Sequence, residues 1–411
     1  MTPVLRVANF MDSALEKLEQ KGNLSHAVAL YNPRGIAEKV IHFTPHPGDA
    51  RFAKLFEHQR VEIYPFFDSS AKGYLTKLFG ALKALMRVVG KLRVERVNII
   101  RGRLPYFGSL FGCLAGRWLG IPSVVSLGGD NRLPQKREGR YYFGSKWVSF
   151  SLEKLVLLLC NSIIVPNAFT RDYVASIIGK GRANSKAVII PWILDVQPDC
   201  VPELTSEHWR RLGINPDLPI VLIVGHLNRY KHSMEMYEVA AKILEQKGRQ
   251  IQFVFCGDGP LRRDGETRLQ ALTGAHFVGW QPNLVVLALM RRAAVVLVPM
   301  SGFVLLEAAA LGKAVVASRI EWHGEIIRDT DNGFLVEADA IEEWCQRILW
   351  IIDHPAEARS MGQRLRAGFD AEYSAENALA KEAELYFHLV ASRPKAGVGR
   401  FVRFSRQSPR E

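Results

Sequence analysis

The chain has 411 residues, of which 48% are hydrophobic and 23% charged, so it holds enough apolar material for two packed domains. Its formal net charge of +13 calls for an anionic partner: a phosphorylated substrate, an acidic lipid or a nucleic acid. No zinc-finger, RNA-recognition or basic-zipper pattern accompanies this charge, so no nucleic-acid partner is expected. The five cysteines are odd in number and far apart, which favours a reducing cytoplasm over a disulfide framework.

The sequence also argues against an integral membrane protein. The N-terminus lacks the charged and then apolar pattern of a signal peptide, and the longest apolar run, at 155–165, is too short to span a bilayer. The expected location is therefore the cytoplasm. Peripheral association with the inner face of the membrane is compatible with it.

The first predicted element is a basic amphipathic helix over residues 71–93. Apolar residues recur there at helical spacing, and the segment contains no acidic residue. Two interpretations stay open: the helix lies on an anionic membrane surface, or it packs on the domain's own sheet and its cations are solvated. Six basic residues distinguish the segment: Lys72, Lys77, Lys83, Arg87, Lys91 and Arg93.

Short apolar runs then alternate with helical patterns along the chain. In the first half, strands are expected at 96–100, 123–127, 162–165 and 187–190, with a helix at 108–119. In the second half, strands are expected at 220–224, 252–256, 295–298 and 314–317, after a linker at 191–202. Such alternation implies right-handed crossovers and parallel sheets, so the predicted fold class is α/β with two Rossmann-like domains.

Residues 295–336 contain the pattern strand, glycine turn, helix, strand. Ser301 and Gly302 follow the strand as a turn, a helix is expected at 305–311, and Gly312 stands where a C-cap glycine belongs. A helix beginning near Ser301 would direct its free N–H groups at a diphosphate. Glu307, inside that helix, either accepts hydrogen bonds from a ribose diol or faces solvent.

Near the chain end, Ser374 is a predicted helix N-cap, and the helix it starts is expected to continue to about residue 389. The segment after it, 393–410, is basic and is expected to be a tail that contacts an anionic partner.

Ordered motifs in the second half resemble the donor-binding half of retaining glycosyltransferases of family 4, the glycosyl transferases group 1. The first half resembles this family more weakly, through 117–122, 128–130, 163–167 and 188–191, and the likeness spans about residues 97–390. The motifs of the second half are Gly225 to His232, Cys256 to Leu261, Phe277 to Trp280, Leu306 to Ala308, Gly312 to Ser318 and Asn332 to Val336.

This resemblance implies a GT-B fold whose two sheets face each other across a cleft. Its implied domains are an acceptor domain at 1–195, a nucleotide-sugar donor domain at 196–371, a crossover helix at 372–390 and a basic tail at 391–411. The implied reaction transfers a sugar from a nucleotide-diphosphate sugar with retention of anomeric configuration. No metal and no cofactor besides the donor substrate is expected.

The resemblance also implies roles for individual residues. Lys231 and Arg229 bind the diphosphate and stabilise it as it leaves, with Asp130 as the third catalytic candidate. Gly128, Gly129 and Asp130 form the acceptor motif, and Asp130 either serves the reaction or caps a helix. The implied donor-binding residues are Gly225, His226, Arg229, Lys231, Gly257, Gly259, Ser301, Gly302, Phe303 and Glu307. Gly257 and Gly259 are equally consistent with a structural turn.

Three positions depart from the family pattern. Pro299 stands where the first of two spaced glutamates is usual, His226 replaces an arginine, and Gly128 replaces a histidine. The expected function is nonetheless a retaining, metal-independent glycosyltransferase acting on a glycan or lipid-linked acceptor in cell-surface polysaccharide or lipopolysaccharide synthesis. The alternatives are a catalytically impaired nucleotide-sugar-binding protein and a nucleotide-sugar epimerase.

Overall fold

The structure, a computed structural model, describes most of the chain. Its described residues are 4–12, 14–20, 24, 32, 35–57, 60–67, 74–133, 135, 141, 144–192, 194, 196, 198–246, 250–300 and 302–392, with the backbone alone at 74–78. The basic segment at 393–410, Ser301 and the side chains of Lys72 and Lys77 lie outside this part.

Seven parallel strands form the first sheet, in the order β3-β2-β1-β4-β5-β6-β7. The chain moves from β1 toward one edge through β3, then returns to the other side of β1 and proceeds to β7. The strands are β1 (Arg6–Phe10), β2 (Lys39–Thr44), β3 (Val61–Pro65), β4 (Ile99–Gly102), β5 (Ser123–Ser126), β6 (Ser162–Val165) and β7 (Ala187–Ile189).

Helices cover both faces of this sheet. Those on the chain's second pass are the long helix α3 after β3, then α4 and α5. Helices α3 and α4 bury the side of the sheet that carries Phe10 and Phe43, and Phe111 of α4 belongs to the same core. The bounds are α1 (Leu15–Gln20), α2 (Ala53–Phe56), α3 (Tyr74–Val94), α4 (Phe107–Leu119), α5 (Lys146–Leu159), α6 (Ala168–Ile178) and α7 (Lys180–Lys186), with a 3₁₀ turn at Pro47–Phe52.

Six parallel strands form the second sheet, in the order β10-β9-β8-β11-β12-β13. The direction of winding reverses between β8 and β11, which pair directly. In an open α/β sheet, ligands bind outside the carboxyl ends of the strands at such a reversal. The strands are β8 (Ile220–Val224), β9 (Gln252–Cys256), β10 (Ala275–Gly279), β11 (Val295–Val298), β12 (Val315–Ser318) and β13 (Phe334–Val336).

The last helix returns to the first sheet. Ser374 caps it by accepting a hydrogen bond from the Asn377 backbone N–H, and Glu382 further along forms an ion pair with buried Arg101 of β4 at 3.2 Å. The helices of this half are α8 (Ser206–Leu212), α9 (Ser233–Leu244), α10 (Arg262–Leu269), α11 (Asn283–Arg292), α12 (Phe303–Ala310), α13 (His323–Ile326), α14 (Ile341–Asp353), α15 (Pro355–Glu372) and α16 (Ala375–Ala391), with 3₁₀ turns at Pro198–Cys200 and Arg229–Lys231.

The prediction of two parallel α/β sheets is confirmed, and most predicted strands lie within two residues of the observed ones. The exception is 96–100: Arg96 has a left-handed φ of 51° and ends the turn after α3, so the strand begins only at Ile99. Strands β1 to β3, β10 and β13 were not predicted.

The basic helix forms as predicted, but its apolar residues do not share one face. Ala84, Val88 and Leu92 pack into the core of the first sheet, whereas Phe79 and Met86 are 71% and 50% exposed. Packing on the domain's own sheet therefore accounts for only part of the helix. In the described residues, no helix is both long and apolar enough to cross a membrane.

Candidate functional site

A cavity opens at the point where the second sheet reverses direction. Strands β8 and β11 are parallel neighbours, so their carboxyl ends meet at one edge of the sheet. Gly225 and His226 follow β8 and line the cavity from one side; Pro299 and Met300 follow β11 and line it from the other. The predicted donor residues Lys231, Gly302 and Phe303 complete the lining. Residues that are more than 70 positions apart therefore meet at one site.

Lys231 is the cation that faces this cavity. It ends a 3₁₀ turn that Asn228 caps by accepting a hydrogen bond from the Lys231 backbone N–H at 2.8 Å. A Cβ built on Gly302 would lie 3.6 Å from Lys231 Nζ, so the ammonium lies against the start of helix α12. Burial lowers the pKa of Lys231, and the negative charge of Glu321 partly opposes this change. Arg229, by contrast, is exposed and does not line the cavity.

Helix α12 begins at the cavity and directs its N-terminus into it. Its first residues, Phe303 and Val304, line the cavity together with the N-cap Gly302, whose φ of 167° is ordinary extended backbone. No side chain of a described residue caps this end, so its backbone N–H groups remain available for an anion. The expected helix at 305–311 therefore starts two residues earlier, and Gly312 follows it with a left-handed φ of 62°.

Glu307 lies one turn inside α12 and is half-buried. Burial raises the pKa of its carboxyl to about 7. Among the described residues, none donates a hydrogen bond or forms an ion pair with this carboxylate. A half-buried carboxylate without a partner among the described residues is available for ligand hydroxyls, which favours the ribose role over simple solvent exposure.

Gly257 and Gly259 contact protein backbone rather than the cavity. A Cβ on Gly257 would lie 1.9 Å from the Gly225 carbonyl oxygen, and one on Gly259 would lie 2.4 Å from the Leu227 carbonyl oxygen. Neither glycine lines the cavity. The geometry favours the structural-turn alternative: the two glycines let this loop pack against the loop that follows β8.

Gly257→Ala is expected to destabilise the protein by about 3 kcal/mol or more, because the new Cβ collides with backbone and Gly257 has a φ of 147°. Gly368→Ala is the matched control. Gly368 lies inside α15, and a Cβ added there would have no atom within 4 Å, so this change should stabilise by about 0.5–1 kcal/mol. Urea denaturation of both variants measures the difference; equal stabilities would contradict the packing described above.

The acceptor motif lies on the first sheet, after β5. Asp130 Oδ1 accepts hydrogen bonds from the backbone N–H groups of Arg132 at 2.7 Å and Leu133 at 3.0 Å. The carboxylate thus caps the turn that follows it, which is the second of the two roles expected for Asp130. Gly128 is exposed and Gly129 half-buried, and neither lines the cavity of the second sheet.

Trp192, which the sequence did not identify, connects the two halves of the site. A Cβ on Gly128 would lie 3.8 Å from Trp192 Nε1, and the Trp192 ring contacts Phe303 at 5.8 Å and Trp322 at 4.9 Å between centroids. The indole therefore lies between the acceptor motif and the first residue of α12. Its position in the linker, far from both in sequence, gave no signal of this contact.

A second connection between the halves involves Glu325 of α13. Its two carboxylate oxygens accept hydrogen bonds from the backbone N–H groups of Ala168 and Phe169, at 2.8 and 2.7 Å. These residues form the N-terminus of α6, where a negative charge is favoured by the helix dipole. The contact holds one edge of the cleft, and sequence spacing alone could not have revealed it.

Asp12 is a further half-buried carboxylate, which the sequence did not identify. It follows β1, beside the reversal of the first sheet between β1 and β4, and accepts a hydrogen bond from the Gly108 backbone N–H at 2.6 Å. Burial raises its pKa to about 6, although this hydrogen bond opposes the change. Strand β1 was not predicted, so no residue could be assigned to its carboxyl end.

Two parallel sheets of this order, a cleft between them and a returning C-terminal helix define the GT-B fold. Comparison with known proteins agrees. Residues 205–367, in the second half of the chain, match the family model described as glycosyl transferases group 1.

The chain is similar to glycosyltransferases along most of its length. Alpha-D-kanosaminyltransferase of Streptomyces kanamyceticus is 24% identical over 379 residues, which cover 86% of this chain and 95% of that protein. Among solved structures, a Rickettsia africae glycosyltransferase superimposes with a TM-score of 0.70 at 15% identity, covering 95% of this chain and 99% of that one. Anabaena HepE in complex with UDP gives a TM-score of 0.70 at 16% identity, covering 93% and 99%. The structural likenesses establish the GT-B fold, and the sequence likenesses support glycosyltransferase activity.

Proposed function

We propose that this protein is a retaining glycosyltransferase that takes its sugar from a nucleotide-diphosphate sugar. The observation that carries the proposal is the cavity at the β8/β11 reversal, where Lys231 and the start of α12 converge. A half-buried cation beside a helix N-terminus is suited to two adjacent phosphates. The HepE structures with UDP and with UDP-glucose support a nucleotide-sugar ligand for this fold.

The proposed mechanism uses positive charge that is already in place. As the glycosidic bond to the diphosphate breaks, negative charge grows on the phosphate oxygens, and Lys231 and the α12 N–H groups stabilise it. Glu307 holds the ribose hydroxyls, which fixes the nucleotide while the bond breaks. The leaving phosphate oxygen then accepts the proton of the incoming hydroxyl on the same face, so the configuration is retained without a protein base. No metal ion takes part in this proposal.

Binding without turnover is the competing function, and the position of Asp130 favours it. Its carboxylate is engaged in capping a turn, and Gly128 offers no side chain to the acceptor. Incubation with radiolabelled UDP-, GDP- and ADP-sugars and a membrane extract separates the cases. Label transferred to lipid or glycan supports the transferase. Donor binding without transfer overturns it in favour of a binding protein, and sugar interconversion without acceptor overturns it in favour of an epimerase.

The proposed acceptor is a glycan or lipid-linked intermediate of cell-surface polysaccharide or lipopolysaccharide synthesis, at the inner membrane face. What supports a membrane partner is helix α3, in which Lys83 and Arg87 are exposed beside the exposed apolar residues Leu82 and Met86. Cations on such a helix attract anionic headgroups.

Reversing Lys83 and Arg87 to glutamate is expected to abolish sedimentation with anionic vesicles at low salt, because each lost cation removes about 1 kcal/mol of attraction and each new anion adds repulsion. Glutamate substitution at Lys180 and Arg182 of α7, both exposed and outside α3, serves as the control for net charge. Unchanged sedimentation of the α3 variant would contradict a role for this helix.

A further inference from the structure

Exposed large hydrophobic side chains are concentrated on three neighbouring helices of the first domain. The described part of the chain has fourteen such side chains, of which four lie on α3, two on α4 and three on α5. We use the name three-helix face for eight of these nine: Phe79, Leu82, Met86, Leu114, Trp118, Trp147, Val148 and Leu155.

The three helices lie side by side on one face of the sheet. They connect β3 to β4, β4 to β5 and β5 to β6, and the chain moves in the same direction across the sheet each time. Right-handed crossovers place all three on the same side. Helix α4 packs against both α3 and α5, so their outer surfaces are continuous.

The exposed apolar residues of this face are not the ones that pack the helices onto the sheet. Helix α3 already buries Ala84, Val88 and Leu92, while Phe79, Leu82 and Met86 follow each other at helical spacing on its outer side. On α4 and α5, Trp118 is 54% and Trp147 80% exposed. Contiguous exposed apolar surface of this kind marks a site of protein or membrane contact.

The charges of the three-helix face are of one sign. The acidic residue in these helices, Glu153, is 1% exposed and forms an ion pair with Arg132 at 2.6 Å. Among the described side chains of α3, α4 and α5, the exposed charged ones are all basic: Lys83, Arg87, Arg93, Arg117, Lys146 and Lys154.

We propose that the whole three-helix face docks on an anionic lipid bilayer, with Trp118 and Trp147 inserted at the headgroup level. This deepens the membrane partner proposed above and rests on it, but assigns the apolar part of the binding to α4 and α5. Tryptophan and basic residues are the side chains favoured at a membrane interface. A second copy of the chain fits less well, because pairing this face with itself would oppose six cations to six cations.

The docked orientation also serves the reaction. Helix α4 begins at the cleft, where the Gly108 N–H meets Asp12 at the carboxyl edge of the first sheet. A bilayer against α3, α4 and α5 therefore lies along one wall of the acceptor domain. A lipid-linked acceptor would reach the cleft without leaving the membrane.

The experiment compares vesicle binding of the full-length protein and two variants that keep every basic residue. Trp118→Ser with Trp147→Ser should lower the partition coefficient on phosphatidylcholine vesicles containing phosphatidylglycerol by about a hundredfold, roughly tenfold for each lost tryptophan. Trp280→Ser is the matched control, since Trp280 is 65% exposed but lies on the second domain. It should bind like the unaltered protein. Circular dichroism melting verifies that each variant is folded.

Outcomes separate this inference from the proposed function. Equal binding by the folded double tryptophan variant and the unaltered protein overturns the role of the two tryptophans while leaving charge-driven binding through α3. An unaltered protein that transfers sugar yet binds no vesicle overturns the inference and keeps the transferase. A dimer in analytical ultracentrifugation that the double variant turns into a monomer overturns it in favour of a second copy.

Discussion

Lys231→Ala is expected to lower kcat/KM for sugar transfer about a hundred- to a thousandfold. The ammonium lies against the start of α12, with Nζ 3.6 Å from the Cβ position of Gly302, where the diphosphate is proposed to bind. Removing one preorganised charge of this kind from a transition state is worth about 3–4 kcal/mol. Steady-state kinetics with a fixed acceptor measures the loss.

Two further variants test whether the loss of activity depends on where the removed positive charge lies. Arg229→Ala should lower kcat/KM only about tenfold, because Arg229 is exposed and outside the cavity. Lys180→Ala, an exposed lysine of α7, should have no effect. The Lys231 variant should keep its fold, since burial already disfavours the charge of Lys231 in the free protein. An Arg229 effect that exceeds the Lys231 effect would assign the diphosphate to Arg229 instead.

Glu307→Gln is expected to have opposite effects on donor binding and on stability. Hydrogen bonds from ribose hydroxyls to a carboxylate are worth about 1.5–3 kcal/mol, so the dissociation constant for the nucleotide should rise about ten- to a hundredfold. Isothermal titration calorimetry with the nucleoside diphosphate measures this change above neutral pH. Donor affinity of the unaltered protein should also strengthen as pH rises through about 7 and the carboxyl ionises.

The stability effect follows from the direction of the pKa shift. The folded protein raises the pKa of Glu307 from its ordinary 4.5 to about 7, so ionisation disfavours folding progressively between these pH values and fully above the higher one. Glutamine cannot ionise, and Glu307→Gln should therefore stabilise the ligand-free protein by about 3 kcal/mol above pH 7 and by almost nothing near pH 4.

Glu384→Gln, at an exposed position of α16, is the control and should change neither property. Urea unfolding at the two pH values measures the difference. If Glu307→Gln stabilises the protein no more above pH 7 than near pH 4, relative to the unaltered protein at the same pH, another group compensates the charge of the carboxylate.

Much of the second sheet could be predicted because its strands are continuous apolar runs. Strands β8, β9 and β11 lie where they were expected, since strands buried on both faces of a parallel sheet need apolar residues at every position. The glycine after α12 and the Ser374 N-cap were equally visible, because a left-handed turn and a helix start each favour particular residues.

The first strands escaped prediction because they carry polar residues into the core. Asn9 of β1 and His42 of β2 are both buried, and a hydrogen bond of 3.0 Å joins their side chains. Glu62 of β3 forms ion pairs with Lys39 and Lys91. Polar groups can replace apolar ones inside a sheet only when a partner stands opposite, and the sequence does not show which residues stand opposite each other.

By itself, the sequence determined the fold class and several of the residues that line the cavity between β8 and β11, because hydrophobic periodicity and short glycine motifs act over a few neighbouring positions. Only the tertiary structure showed which residues far apart in the sequence contact each other and which helix faces stay exposed. Trp192 lies between Gly128 and Phe303, Gly257 packs on Gly225, and part of α3 stays exposed although its pattern would suit a buried helix. The physical reason is that burial and contact depend on which surfaces the folded chain brings together, and a local pattern specifies only the surfaces that are available.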